Sequence, residues 1–295
     1  MHRYVDYSPI VSRPVLRWPD DKRLAVNVVV NVEHYEFVPP RNPHRDYFYR
    51  VPAAPDIVGY SFRDYGNRVG FWRMLEVLDR SPAKVTCSLN VETLNLFPEI
   101  RDAMVERDWC FMSHGTYNTR LLYGATAEEE REFYRYTMRT VRDLTGKELR
   151  GMLGPSFTAT ERTPELMAEA GMVYTMDWFI DDQPFEVKVP RGRLIGVPYS
   201  RELNDALLFP GYPMYAFEGD YFEQICRDQF DLLYRESAES GRVMTIALHP
   251  LYMGLPHQVG YLNNMLEYIG RYDDVWWTTP EAIADHMLQE GGWAA

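Results

Sequence analysis

The sequence predicts an α/β protein built as a single (β/α) barrel, and three observations predict it. Leu24–Val32 reads LAVNVVVNV, a β-branched run too continuous for a half-exposed strand and suited to one covered on both faces. Strand-like and helical patterns then alternate about seven times along the chain, which is the order of a parallel sheet with crossover helices. Titratable residues stand at the C-terminal ends of several of these strands, the edge at which parallel α/β folds bind ligands.

The elements follow in order. After the first strand come Glu33 and His34, and then residues 35–61, rich in Pro, Tyr, Arg and Asn. That stretch reads as an irregular insertion loop and a candidate lid. Gly70–Arg80 carries Phe71, Met74, Leu75 and Leu78 at helical spacing, and Val85–Leu89 is a second strand. Pro98–Glu106 is a short helix, and Cys110–Met112 a short strand that runs into Ser113-His114-Gly115. Thr126 with Glu129 forms a capping box for a helix that ends near Gly146. Leu149–Leu153 and Val173–Met176 read as strands, separated by a helix with Pro164 at its start and Gly171 at its end. Ile195–Val197 is a further strand, and Tyr221–Ser237 a helix. Val243–Leu248 is a strand that delivers His249-Pro250. A helix over Tyr261–Tyr272, a strand over Val275–Thr278 and a helix over Pro280–Leu288 close the pattern. No composition break marks a second domain, so residues 1–295 read as one catalytic domain with an N-terminal arm over 1–20.

The chain has 295 residues and a formal net charge of −12. That charge argues against a nucleic-acid partner, which needs a basic face, and against an anionic membrane surface. No apolar stretch approaches a membrane span of ~20 residues. Met1–Asp21 carries Pro9, Pro14 and Pro19 rather than an apolar core of signal-peptide length, so a cytoplasmic location is expected. Cys87, Cys110 and Cys226 form no CxxC pair and read as small core residues of a reduced protein.

Glu33, His34, His114, Asp177 and His249 are the strand-end candidates. His2, His44, His257 and His286 read as structural histidines, and Asp177, Asp181 and Asp182 are open between capping turns and serving a site. Tyr35, Tyr47, Phe48, Tyr49 and Tyr60 surround the insertion loop; they either pack it down or cover a small flat substrate.

These residues resemble the polysaccharide deacetylases over roughly Leu16 to Thr279, and within them a branch similar to cyclic imide hydrolases and allantoinases. Glu33-His34 matches a pair of strand-end acidic residues, the first a catalytic base and the second a metal ligand. His114-Gly115-Thr116-Tyr117-Asn118 matches a metal-binding His-x3-His, with Asn in place of the second His. Arg150-Gly151-Met152-Leu153-Gly154 loosely matches an Arg segment, Asp177-Trp178 with Asp181-Asp182-Gln183-Pro184 an Asp segment, and Leu248-His249-Pro250 the strand that ends in the general acid. Tyr65-Gly66-Asn67-Arg68-Val69-Gly70-Phe71-Trp72-Arg73 looks like a mark of the ring-opening branch.

The resemblance implies a distorted seven-stranded barrel and hydrolysis of a non-peptide C–N bond, with a cyclic amide as the leading substrate. N-deacetylation of amino sugars and a non-catalytic binding protein are the alternatives. It implies Glu33 as base, His249 as acid and Asp177 as the neighbour that tunes His249, with Tyr35, Asn118, Arg150, Trp178 and Asp181 around the substrate. It implies a divalent metal, zinc, on His34, His114 and Asn118; since Asn is a poor zinc partner, a site without metal stays open. A homodimer or homotetramer is expected on the same ground.

Overall fold

The computed structural model describes residues 3–41, 55–208 and 218–289. Among them, nine strands form one sheet: β1 (Leu24–Val32), β2 (Val85–Leu89), β3 (Cys110–Ser113), β4 (Gly151–Met152), β5 (Tyr174–Thr175), β6 (Phe185–Val187), β7 (Leu194–Gly196), β8 (Arg242–Leu248) and β9 (Val275–Thr278). Their order is β6-β7-β5-β4-β3-β2-β1-β8, with β9 also on β1. Every pairing is parallel except β6 with β7.

β1 is the hub. Leu24–Val30 pairs with β8, Leu24–Asn27 also with β9, and Val28–Val32 with β2. β9 and β2 therefore follow one another along the same edge of β1, which is the distortion of the barrel. Two strands exceed the expected seven: the three-residue β6, and β9 with its shared edge. Beyond β8 the ring closes without a full strand. Asn204 bridges Ala247, the Thr245 hydroxyl donates to the Pro198 carbonyl at 2.6 Å, and Val243 N donates to the Asp182 carbonyl at 2.8 Å.

Strand alternation sorts the core into two layers. Leu24, Val26, Val28, Val30 and Val32 join the outer core between sheet and helices. Ala25 and Val29 join the lumen core with Met112, Tyr174, Met176, Val243 and Ala247. Fully burying each outer valine of β1 gains roughly 1.5–3 kcal/mol. Because side chains alternate, a residue at the end of a strand inherits a face.

The segment that reads as irregular through Ser61 becomes helical earlier, at Ile57. Asp56 caps this helix by accepting a hydrogen bond from Gly59 N at 3.0 Å. The helix Ile57–Tyr65 passes through a π turn, Gly66–Gly70, straight into the helix Phe71–Leu78. Gly66 and Gly70 bound the π turn, and so the sequence pattern breaks there. The N-terminal arm runs beneath the barrel, where buried Trp18 donates from Nε1 to the Arg242 carbonyl at 3.1 Å. No helix among the described residues is long and apolar enough to cross a membrane.

Candidate active site

Three of the strand-end residues meet at the top of the lumen. Glu33 continues the lumen face of β1 (Ala25, Val29), His114 that of β3 (Met112) and His249 that of β8 (Val243, Ala247). Glu33 Oε1 lies 3.2 Å from His114 Nε2 and 3.6 Å from His249 Nε2. Glu33 Oε2 accepts a hydrogen bond from the Tyr35 hydroxyl at 2.7 Å, and that hydroxyl accepts one from the Asn118 amide. All of these side chains line a cleft of about 200 Å³, together with Arg63, Ser156, Tyr199 and Tyr252.

The partner of His249 is Asp205. His249 Nδ1 donates to Asp205 Oδ1 at 2.7 Å, while Asp205 Oδ2 accepts from His249 N at 2.7 Å and Met253 N at 3.2 Å. Burial alone would pull the proton off His249, but the carboxylates of Glu33 and Asp205 outweigh it and push its pKa up to about 10. Burial pushes Glu33 up in turn. The charge on His249 and the hydrogen bonds from both imidazoles outweigh that and hold the carboxyl well below its usual range. Burial also pushes Asp205 up, against the His249 imidazolium and the two backbone N–H groups. At neutral pH the cluster therefore holds an ionised Glu33 beside a protonated His249, a base and an acid in opposite states.

The backbone holding these groups is stapled by residues outside the expected set. Asn90, at the end of β2, accepts from His34 N at 2.9 Å and donates to the His114 carbonyl at 2.5 Å, joining the ends of β1 and β3. Asn67 donates to the Glu33 carbonyl at 2.9 Å. The segment Tyr65–Arg73 acts on the other side, against the loop that follows His249. A Cβ on Gly70 would lie 1.9 Å from the Pro250 carbonyl oxygen, and one on Gly66 2.7 Å from Leu251 N. The glycines thus let the helix backbone touch that loop directly. Arg73 adds a hydrogen bond to the Gly254 carbonyl. A π turn at this place is one way a helix re-aims its residues beside a site.

Five expected site residues are placed elsewhere. His34 follows Glu33 and so takes the outer face, where its ring packs among Tyr60, Phe97 and Tyr117. Tyr174 and Met176 face the lumen, so Asp177 falls to the other side; it accepts from Gly154 N at 2.7 Å and the Thr175 hydroxyl at 3.1 Å, and burial pushes it up to about 6. Trp178 packs edge-on against Tyr4. Asp181 takes both guanidinium arms of Arg13 at 2.6 and 2.5 Å, anchoring the N-terminal arm. Arg150 precedes β4 and so sits at the bottom of the barrel, paired with Asp285 and Glu281. The Asp-Asp-Gln segment is a structural tie: Gln183 donates to Ser240 Oγ and the Gly241 carbonyl, just ahead of β8. Tyr47, Phe48, Tyr49 and His44 lie outside the described residues.

The donors do not fit the zinc set implied by the sequence. His114 has the posture of a ligand, since its Nδ1 donates to the Leu153 carbonyl at 2.9 Å and leaves Nε2 facing inward. Asn118, however, directs its amide nitrogen to Tyr35, and the His34 ring is turned out of the cleft. One imidazole of the expected three donors remains.

No family model matches the chain. It is 26% identical to a putative polysaccharide deacetylase of Schizosaccharomyces pombe, over 94% of this chain and 93% of that protein. It is 23% identical to a peptidoglycan deacetylase of Helicobacter pylori, over 76% of this chain and 86% of that protein. Among solved structures, Puue allantoinase superposes with a TM-score of 0.84 at 25% identity, covering 98% of this chain and 100% of that one. A probable polysaccharide deacetylase from Pseudomonas aeruginosa superposes with a TM-score of 0.80 at 26% identity, covering 95% and 96%. In fold and in sequence, then, the chain is similar to proteins named as polysaccharide deacetylases and to an allantoinase.

Proposed function

We propose that this protein is a hydrolase of a non-peptide amide C–N bond, with Glu33 as general base and His249 as general acid. The carrying observation is the single carboxylate oxygen, Glu33 Oε1, set between two imidazole Nε2 atoms at 3.2 and 3.6 Å, one of them backed by Asp205. Glu33 takes a proton from water as the oxygen adds to the carbonyl carbon. His249 Nε2 gives its proton to the nitrogen as the C–N bond breaks, leaving a carboxylic acid, which releases its proton to solvent, and a free N–H group. The proton on Glu33 then returns His249 to its acid form. Positioned proton transfer of this kind is worth ~10²–10⁴-fold. His114 is placed to meet the developing oxyanion: its Nδ1 is committed to Leu153, and its Nε2 faces the cleft.

Two substrate classes share this chemistry. The names of the curated relatives support removal of an N-acetyl group from an amino sugar better than ring opening. The donor set favours the second class, a small cyclic amide, because a reaction that needs a three-ligand zinc has no such set here; the cleft of about 200 Å³ and the allantoinase likeness agree with it. Purified protein incubated with N-acetylglucosamine oligomers, succinimide, hydantoin, dihydrouracil and allantoin, before and after chelation, separates them. Acetate release without ring loss establishes the deacetylase. Ring loss that survives chelation establishes the cyclic amidohydrolase. Loss of either activity on chelation would show that a metal binds despite the mismatch. No turnover of any compound returns the protein to a binding role.

A further inference from the structure

The cleft is rich in carboxylates. Besides Glu33 it is lined by Glu36 and Asp56, and apart from the His249 imidazolium, which is held by Glu33 and Asp205, its one basic side chain of the Lys/Arg type among the described residues is Arg63. Other arginines near it are matched to acids: Arg120 with Glu36 and Arg68 with Asp64. Arg63 makes no ion pair among the described residues. Asp56, the acid beside it, is engaged in capping Gly59. A guanidinium keeps its charge at any pH a protein tolerates, so it enters the cleft as a cation.

Arg63 is also held in place. One arm donates to the Gly59 carbonyl at 3.0 Å, and the guanidinium lies 4.2 Å from the centroid of the Tyr35 ring. The Tyr35 hydroxyl in turn reaches Glu33 Oε2. A single aromatic ring thus separates the base from a fixed cation whose remaining N–H groups are uncommitted to carboxylates. Such a planar fork is suited to a carboxylate.

We propose that Arg63 determines specificity by binding a carboxylate of the substrate, so that the preferred substrate is an acidic amide whose scissile carbonyl lies at Glu33. This rests on the hydrolase reading and narrows it. Since Glu36 is matched by Arg120 and His249 by Glu33 and Asp205, Arg63 is the cation left to meet an anion, a ring's width from the base.

The test compares compounds that differ by a carboxylate against its uncharged carboxamide: hydantoin-5-acetate with hydantoin-5-acetamide, and N-acetylmuramic acid with its lactyl carboxamide. For wild type, the acidic member of the pair that turns over should have the higher kcat/KM. Arg63→Met should lower that acid-to-neutral ratio about ten- to a hundredfold, the range of one charge-assisted hydrogen bond, with the loss carried by KM. Arg63→Lys, which keeps the charge without the fork, should restore part of it. An unchanged ratio, or a fall in kcat shared by both members, would overturn the proposal and make Arg63 a support for Tyr35. Calorimetric binding to Glu33→Gln, with and without Arg63→Met, needs no turnover. Tighter binding of the acid that depends on Arg63, with no hydrolysis by wild type, keeps the anchor and removes the hydrolase reading. Turnover without discrimination does the reverse, and absence of both removes both.

Discussion

Each end of the barrel sets carboxylates against basic side chains, and water separates their consequences. At the bottom, Arg150 pairs with Asp285 at 2.6 Å and Glu281 at 3.1 Å, with all three side chains about a quarter to a third exposed. Solvent screens such a cluster, and an exposed pair is worth ~0–1 kcal/mol. At the top, Glu33, His114 and His249 are 3%, 4% and 10% exposed and Asp205 is 0% exposed. There each charge is felt by its neighbour with little screening, so the pairs decide who holds the proton. The same residue types form a clamp at one end and an acid–base pair at the other.

The widest test of that contrast is to remove its catalytic members. Glu33→Gln and His249→Ala should each lower kcat by ~10²–10⁴ while leaving circular dichroism unchanged. Equal loss from Arg150→Ala would erase the distinction between the two ends.

Next in size, Asp205→Asn removes the carboxylate that orients His249 and supports its charge. Wild-type activity should fall as pH rises through about 10, where His249 gives up its proton. In the variant that alkaline limb should move down in pH; an unmoved limb would assign it to another group. Stability follows the same sign. An unfolded histidine titrates near ~6.5, so the stabilisation from the raised pKa is complete below that value and is lost as pH rises toward about 10. The urea midpoint should decline over this window, and His249→Ala should flatten the decline.

Smaller again is Gly70→Ala, whose methyl meets the Pro250 carbonyl. Overpacking of this kind costs roughly 1–3 kcal/mol, and here it should also lower kcat, because the displaced loop carries His249. A thermal midpoint that falls while kcat holds would separate the helix from the catalytic geometry. The smallest effect belongs to the bottom: Arg150→Ala should change stability by about 0–1 kcal/mol and leave kcat as it was.

Within the top itself, adjacent residues teach the same lesson. Glu33 and His34 are neighbours in the chain, yet one enters the lumen and the other an aromatic cluster outside it. The alternation Ala25, Asn27, Val29, Asn31 already carries that signal, because a polar residue in a strand buried on both faces marks the side with polar partners. Asn90 had a weaker signal, a polar residue at a strand end. Asp205 had none, lying among irregular residues with no periodicity around them.

The sequence by itself determined the parallel α/β order, the capping box at Thr126 and Glu129, and the strand ends at which Glu33, His114 and His249 stand. These are local matters, set by alternation, capping and β-branching within a few residues. Only the tertiary structure decided that His249 pairs with Asp205 and not Asp177, that Asp181 belongs to Arg13, and that Arg150 faces the bottom. Those outcomes depend on distances between segments far apart in the chain, and a hydrogen bond or ion pair falls away within an ångström or two of its optimum.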